Sequence, residues 1–406
     1  MKTRLSRSLP RSLPRSLPRS LPLSFSCALS CSLSVAALQL SPLWLCAEAL
    51  AKVSVPQEVA ARPSSHCQAP QWSPDGKRLA VEVYFPKKET RQVWVMTLSE
   101  RFQVTKEEQV GVLGQQSSRL ADGKAPPVVE FTWTPDMEML NPPYVFSTQN
   151  PQFKNFDIYG DGTWLTKNKG NDGQPSISAD SNYLAFTSQQ RDSGDIMMID
   201  FGGDMERPIP LTQTPDFTEY HPQWHPAAQS LLFIRSQKAR GQDIMVIDDI
   251  KRPEQTTRAL TEWAEDEIRP HWSPSGEAVA FYTNHESGSD KIFDLWVVDA
   301  SGAGAKRLAK DVVVDEHKGP AWSKDGSTLF FVKRDFERNN PIMWVNRNTG
   351  KSGVLTQETQ INSDLSITYL SGGEMALAYR AAGMRGSEDK TWQRVYVISF
   401  TMDDLR

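Results

Sequence analysis

The sequence predicts an all-β protein, a seven-bladed β-propeller made of four-stranded antiparallel blades. A unit of similar sequence recurs seven times at intervals of about 44 to 61 residues, a period typical of propellers and solenoids. Each unit combines a Pro-x-Trp-Ser segment, a turn of the Pro-Asp-Gly type and short apolar runs bounded by polar residues. Such runs are typical of buried strands. The clearest copies begin at Pro70, Pro270 and Pro320.

Residues 1–51 differ from the repeats in composition. Six basic residues accompany four copies of Arg-Ser-Leu-Pro, and an apolar stretch from about Leu23 to Leu45 precedes the small residues Ala47 and Ala49. This order is typical of a cleaved secretory signal peptide, with an uncleaved anchor as the alternative. We therefore divide the chain into a signal peptide with Arg-Ser-Leu-Pro repeats at 1–51 and the propeller at 52–406. The expected location is the periplasm or the cell exterior.

The body of the chain is acidic. Residues 52–406 carry 39 Lys and Arg against 48 Asp and Glu, a net charge of −9, which does not favour binding to nucleic acid or to an anionic membrane. No apolar run of about 18 residues follows residue 50, so we expect no membrane span in the mature chain. Cys67 is the only cysteine outside the predicted signal, so no intramolecular disulfide is expected. We expect a monomer without a cofactor.

Each repeat reads as four strands, which together make one blade. The first strand carries the Trp-Ser segment and the second follows the turn, as in Arg78–Val83. The third has the form Asp-Ile-x-Val-Ile-Asp, as in Asp195–Asp200, and the fourth leads into Leu-Thr, as in Leu211-Thr212. We expect the Trp residues to fill the space between blades. Along the chain the Trp position reads Trp72, Trp133, Ile177, Trp224, Trp272, Trp322 and Leu370.

The seventh unit lacks a fourth strand of its own. Its third strand is readable at Arg394–Ile398, and the chain ends at Arg406. The segment from Val53 to Val59 is expected to supply the missing strand. Pairing of the two chain ends would close the ring and remove an exposed strand edge.

This repeat resembles the WD-like propeller repeat of TolB, the periplasmic propeller protein of the Tol–Pal envelope system. The resemblance rests on the Pro-x-Trp-Ser-Pro-Asp-Gly turn, the Asp-Ile-x-Val-x-Asp strand and the terminal Leu-Thr, and it covers about four-fifths of the chain. TolB has six such blades after an α/β domain, whereas this chain has seven units and about eighteen residues between the signal and Pro70. The resemblance therefore implies a TolB-like propeller that binds an envelope protein or peptide.

Catalytic motifs are lacking in the sequence. The same repeat occurs in the propellers of prolyl-oligopeptidase-type peptidases, but a serine hydrolase needs a Gly-x-Ser-x-Gly elbow, and none occurs. His221 and His225 lie four residues apart in a strand, too far apart to share a metal. We therefore expect a protein that is not an enzyme.

Polar residues recur at two positions of the first strand, and they define the candidate binding site. The position before the Pro reads Ala69, Glu130, Gln174, His221, Arg269, Gly319 and Ile367. Two residues earlier, the chain carries Asp172, Glu219, Glu267 and His317. Because the first strand of a blade is innermost, we expect these side chains to surround one mouth of the central channel. The predicted binding residues are Asp172, Gln174, Glu219, His221, Glu267, Arg269 and His317.

Two alternatives remain open at this stage. The charges could simply pair with one another around a solvated entrance. The repeat is also similar to that of oligogalacturonate lyases, seven-bladed propellers in which His residues hold a metal in the channel. That resemblance implies a metal-dependent carbohydrate-active enzyme using His221, His271 and His317, although His271 is expected to face away from His221.

Overall fold

The computed structural model describes residues 53–111, 126–191, 193–237, 241–314, 318–335, 339–387 and 391–405. These residues lie within one compact unit, Ala49–Arg406. The predicted signal peptide at 1–51 lies outside the described residues, as does the predicted site residue His317. Among the described residues, no helix is both long enough and apolar enough to cross a membrane.

Seven four-stranded antiparallel sheets form the blades of a propeller, which confirms the predicted fold. In blades 1 to 6 the strands follow one another in chain order from the inner strand outward. Their bounds are β2 (His66–Trp72), β3 (Arg78–Phe85), β4 (Thr90–Leu98) and β5 (Val104–Gln109) in blade 1; β6 (Val128–Trp133), β7 (Tyr144–Gln149), β8 (Phe156–Gly160) and β9 (Thr163–Trp164) in blade 2; β10 (Asp172–Ile177), β11 (Tyr183–Ser188), β12 (Asp195–Asp200) and β13 (Ile209–Pro210) in blade 3. They continue with β14 (Thr218–Trp224), β15 (Leu231–Gln237), β16 (Gly241–Ile247) and β17 (Thr257–Ala259) in blade 4; β18 (Glu267–Trp272), β19 (Ala278–Thr283), β20 (Phe293–Asp299) and β21 (Lys306–Val312) in blade 5; β22 (Ala321–Trp322), β23 (Thr328–Val332), β24 (Ile342–Asn346) and β25 (Ser352–Thr356) in blade 6.

Blade 7 joins the two ends of the chain, as the sequence predicted. It consists of β27 (Ser363–Tyr369), β28 (Glu374–Ala381), β30 (Arg394–Thr401) and, as its outer strand, β1 (Gln57–Ala60). Strand β1 runs antiparallel to β30, with Gln57 opposite Val397. A small two-stranded sheet, β26 (Thr359–Gln360) with β29 (Gly383–Met384), lies beside this blade, and the short helices span Pro253–Thr256, Ser371–Gly373 and Met402–Leu405.

The Pro-Asp-Gly turn links the first two strands of a blade through local hydrogen bonds. In blade 1 the Ser73 N–H donates to the Arg78 carbonyl at 2.8 Å, and the Gly76 N–H donates to the Ser73 carbonyl at 2.9 Å. Gly76 has a φ of 68°, a left-handed conformation that glycine adopts without steric cost. The Ser73 hydroxyl accepts a further bond from the Arg78 N–H at 2.9 Å. The recurring Ser and Gly thus fix the register of this hairpin.

The apolar core lies between the blades. The cluster around Trp272, for example, contains Leu232 and Val246 of blade 4 together with Val279 and Phe281 of blade 5. Several indoles also tie neighbouring inner strands together: the Trp133, Trp224 and Trp322 indole N–H groups donate to carbonyls of the preceding blade at 3.1, 2.9 and 3.2 Å. The Trp of the repeat therefore fills space between blades and also aligns them.

Candidate functional site

A β-bulge interrupts the inner strand of blades 1 to 5 and of blade 7. In blade 3, for example, Gly173 lies opposite Thr187, and the next paired residue is Ser176, opposite Ala185. The first bulged residue of each strand has a φ between 47° and 56°; these residues are Ala69, Glu130, Gln174, His221, Arg269 and Asp364. Such left-handed backbone is uncommon for residues other than glycine. We call these six residues the bulge ring.

Blade 7 departs from the alignment made on sequence. Ile367 was expected at the bulge position, but the structure places Asp364 there, between Ser363 and Ser366. Ile367 instead lies opposite Leu377, the position that Trp72 occupies opposite Leu79 in blade 1. The alignment was three residues out of register because this blade has neither the Pro nor the Trp of the inner strand, whereas each of the other units keeps at least one of them.

Side chains of the bulge ring bind the backbone of the next blade. Glu130 Oε2 accepts a hydrogen bond from the Gln174 N–H at 2.8 Å, and Gln174 Oε1 accepts one from the His221 N–H at 2.9 Å. Across the point of closure, Asp364 Oδ2 accepts one from the Ala69 N–H at 3.2 Å. The ring thus links consecutive blades through one repeated contact.

His221 joins three blades through its side chain. Its Nε2 lies 2.8 Å from Arg269 Nη1 and 3.2 Å from Gln174 Nε2. A guanidinium only donates hydrogen bonds, so His221 Nε2 is the acceptor in the contact with Arg269. Gln174 is held in turn by Thr187, whose hydroxyl donates to Gln174 Oε1 at 2.8 Å. The structure therefore brings together Gln174, His221 and Arg269, three of the predicted site residues.

Two cavities lie along the central channel. The first has a volume of about 730 Å³ and is bordered by Glu130, Gln174 and His221 of the bulge ring. The second has a volume of about 570 Å³ and reaches Ser366 and Tyr369 of blade 7. Five residues border both cavities: Gln71, Gln223, Trp224, His271 and Lys318. The cavities therefore adjoin, and together they offer a continuous binding space lined by both polar and apolar side chains.

Three predicted site residues are buried and do not line the cavity. Asp172, Glu219 and Glu267 are each 0% exposed, and none of them borders either cavity. Their side chains occupy the junctions between blades: Glu219 pairs with Arg235 at 2.7 Å, and Glu267 accepts a bond from the Thr261 hydroxyl at 2.6 Å. The blades of a propeller stand radially around the axis, so most side chains of an inner strand point towards a neighbouring blade. A place in the innermost strand therefore did not make these side chains exposed to the channel.

The side chain of His271 shares the first cavity with His221, contrary to the expectation that it faces away. The expectation assumed a regular alternation of side chains along the strand, but the bulge at Arg269 interrupts that alternation just before His271. The His271 side chain is exposed to the channel. Partial desolvation by the channel wall and the positive charge of Lys318 lower its pKa.

A second, mostly polar ring along the channel was not predicted from the sequence. It comprises the residue just before the Trp position, which borders a cavity in all seven blades. Five of these residues border the first cavity, namely Gln71, Thr132, Ser176, Gln223 and His271, and Ala321 and Ser366 border the second. The signal was present, because a polar residue between the Pro and the Trp of a buried strand has no reason to face the core. Glu130 could also have been included in the predicted site, because it is a charged residue at the same repeat position as Gln174 and His221. Desolvation by the surrounding protein raises the pKa of its carboxyl group.

Metal-binding chemistry has little support in the channel. Across the described part of the chain, no group of three or more His, Cys, Asp or Glu side chains is arranged to hold a metal ion. His221 borders the first cavity, but its Nε2 already faces the guanidinium of Arg269. A metal cation at that nitrogen would have to displace a positively charged neighbour.

Comparison with solved structures places the chain among known β-propellers. An oligogalacturonate lyase in complex with manganese matches it at 12% identity with a TM-score of 0.56, over 86% of this chain and 96% of the other. The oligogalacturonate lyase of Vibrio parahaemolyticus matches at 11% identity with a TM-score of 0.56, over 86% and 98% of the two chains. Identities this low show a shared fold.

TolB proteins also occur among the similar structures, as the repeat implied. A protein assigned as TolB from Agrobacterium tumefaciens matches at 19% identity with a TM-score of 0.46, over 66% of this chain and 89% of the other. No protein-family model matches the chain, and no curated protein matches it. The class of protein is thus a seven-bladed β-propeller with a TolB-like repeat.

Proposed function

We propose that this protein is a non-catalytic extracytoplasmic scaffold that binds a protein or peptide partner of the cell envelope in its channel. The observation that carries the proposal is the continuous space formed by the two adjoining cavities, with polar side chains along its wall. Binding in a preformed, rigid channel requires little rearrangement of the protein. The extracytoplasmic location rests on the predicted signal at residues 1–51.

The neutral polar side chains of the second ring suit an extended peptide. Gln71 and Gln223 border both cavities, and each amide can donate and accept hydrogen bonds. A peptide backbone presents alternating N–H and C=O groups to such a wall. The bulge ring supports this wall, because its side chains hold neighbouring blades in fixed positions.

Affinity capture with channel variants tests this proposal. Tagged protein would be cross-linked in native envelope extract, and the captured proteins identified by mass spectrometry. We expect one specific envelope protein, with capture reduced at least about tenfold by Gln223→Ala combined with His271→Ala, since each removes a wall contact. The control is Lys351→Ala, on an exposed connection away from the channel.

The outcome is interpreted only when both variants fold like the native protein. Equal capture by the native and the channel-variant proteins would overturn the proposed binding site. Capture of no specific protein, repeated after addition of divalent metal, would favour the second candidate.

The second candidate is a metal-dependent carbohydrate-active enzyme resembling oligogalacturonate lyase. It is favoured by one observation, the presence of both His221 and His271 at the first cavity. Its test is incubation with oligogalacturonate and Mn²⁺, followed by absorbance of an unsaturated uronate product. Activity that disappears on chelation and in His271→Ala would support it, while no product with metal-replete protein would reject it.

A further inference from the structure

The junction between blades 2 and 3 contains two buried carboxyl groups that belong to different blades. Asp157 is the second residue of β8, the third strand of blade 2, and Asp172 is the first residue of β10, the inner strand of blade 3. Both residues are 0% exposed. The charge of Asp157 contributes to raising the pKa of Asp172, so the two groups interact. This junction is separate from the channel cavities.

Neither carboxyl group has a positively charged partner. Within the described ranges, Asp157 and Asp172 form no ion pair, and their hydrogen-bond donors are neutral: Asn150 donates to Asp157 Oδ2 at 2.7 Å, and Asn168 Nδ2 donates to Asp172 Oδ2. Burial raises the pKa of Asp157, and it raises that of Asp172 to about 6. Two buried carboxylates without a countercharge are costly.

Equivalent positions in neighbouring blades carry an arginine partner. Glu219, which corresponds to Asp172, pairs with Arg235 at 2.7 Å. Asp195, which corresponds to Asp157, lies 3.6 Å from Arg191, and Asp294 lies 3.5 Å from Arg307. At the junction between blades 2 and 3 the repeat keeps both acidic groups, and the described residues supply no arginine partner for either of them.

Several buried oxygen atoms at this junction lack a hydrogen-bond partner. They include Asp172 Oδ1, Asn155 Oδ1 and the hydroxyl of Ser188. Ser188 is 2% exposed and lies directly opposite Asp172 in the sheet; its hydroxyl is near enough to moderate the rise in the pKa of Asp172. Buried polar atoms normally find a partner, so the unpartnered oxygens of Asp172 and Ser188 beside the carboxyl group of Asp157 point to a missing cation.

Further neutral oxygens complete the donor set. The Thr166 hydroxyl lies 3.3 Å from Asp157 Oδ1, and the Asn155 amide contacts both Asp157 Oδ1 and the Gly170 carbonyl. A half-turn of that amide exchanges its nitrogen for its oxygen. The donors are then carboxylate, amide, hydroxyl and carbonyl oxygens, with no nitrogen or sulfur.

We propose that the junction between blades 2 and 3 binds a hard divalent cation, with Ca²⁺ as the ion of best fit. Its ligands come from Asp157, Asp172, Asn155, Thr166 and the Gly170 carbonyl. Ca²⁺ takes six to eight oxygen ligands in flexible geometry, whereas Mg²⁺ requires a near-ideal octahedron. The cation joins two blades and supplies the charge that Arg235 supplies at the next junction.

Thermal unfolding of the purified protein at pH 7.5 tests the site. About 5 mM CaCl₂, enough for a site of extracellular affinity, should raise Tm by at least about 3 °C relative to protein in EDTA, because a ligand of the folded state stabilises it. Asp172→Asn should abolish this rise. Asp195→Asn, at the position equivalent to Asp157 in a junction with arginine, should keep it.

Three results would overturn the proposal. These are a Tm that does not respond to CaCl₂, a response that persists in Asp172→Asn, and a Tm raised only by lowering the pH, which would mean that protons neutralise the pair. If Asp172→Asn does not fold, Tb³⁺ luminescence of the native protein decides, since Trp164 lies two residues from Thr166 and can sensitise a bound ion. Emission displaced by CaCl₂ supports the site; lack of emission, or emission that CaCl₂ does not displace, refutes it.

Discussion

At the scale of single residues, the blade junctions use acidic groups in three different ways. Glu219 is neutralised by Arg235, while Asp172 shares its junction with Asp157 and neutral donors. Glu267 accepts a hydrogen bond from Thr261, and burial, with the charges of Asp243 and Glu265 adding, raises its pKa to about 8. Residues at one repeat position therefore differ in how their charge is accommodated.

Glu267→Gln should reduce the dependence of stability on pH. The folded protein holds the Glu267 proton more tightly than the unfolded chain, whose Glu pKa is about 4.3. This contribution is therefore complete at low pH and is lost as the pH rises towards about 8. We expect urea unfolding at pH 8 to show the variant more stable by about 4 kcal/mol, with little difference at pH 4.

The control for this prediction is Glu262→Gln, because Glu262 is an exposed residue in the connection that precedes β18. It should leave the pH profile of the free energy of unfolding unchanged. A Glu267→Gln profile parallel to that of the native protein would show that Glu267 does not titrate in this range.

At the scale of elements, the repeat specified the blades but not every register. Each of units 1 to 6 keeps the Pro or the Trp of the inner strand, and β12 matches the predicted Asp195–Asp200 without change. In blade 7, where these marks are missing, the bulge lies at Asp364 and not at Ile367. Burial of Asp172 and its counterparts could not be foreseen, because it depends on how a radial blade packs against its neighbour.

The indoles of the repeat allow a matched comparison of two inner strands. Trp224 and Trp272 are 8% and 7% exposed; the Trp224 indole donates to the Ser176 carbonyl at 2.9 Å, whereas Trp272 Nε1 has no partner in the described structure. Trp224→Phe should therefore cost about 1 kcal/mol more than Trp272→Phe in the free energy of unfolding. Equal costs by denaturant titration would remove any role for the hydrogen bond between blades.

At the scale of the whole molecule, stability depends on closure of the ring. Besides the strand pairing, the Ser54 N–H donates to the Ser399 carbonyl at 2.9 Å, and Val59 and Ala60 pack in a core with Val395 and Val397. The bulge ring adds a polar link across the same boundary, from Asp364 to Ala69. Blades 7 and 1 are thus joined by the same kinds of contact, apolar packing and a bulge-ring hydrogen bond, as other neighbouring blades.

Deleting residues 53–60 should lower Tm by more than about 10 °C, since it exposes the edge of β30 and part of the core. The control is Val55→Ser within the same segment, because Val55 is 75% exposed and its replacement should change Tm little. Differential scanning calorimetry compares the two, and a deletion as stable as the native protein would contradict closure by β1.

The pairing of β1 with β30 also sets the order of events during biosynthesis. Glu58 bonds Arg394 across 336 positions of sequence, so the first strand of the propeller to leave the ribosome must wait for the last. Until then both ends present unpaired edges that invite association with other chains. The ring is therefore sealed only after translation of the whole domain, and a chaperone that shields β1 in the interval would protect it from aggregation.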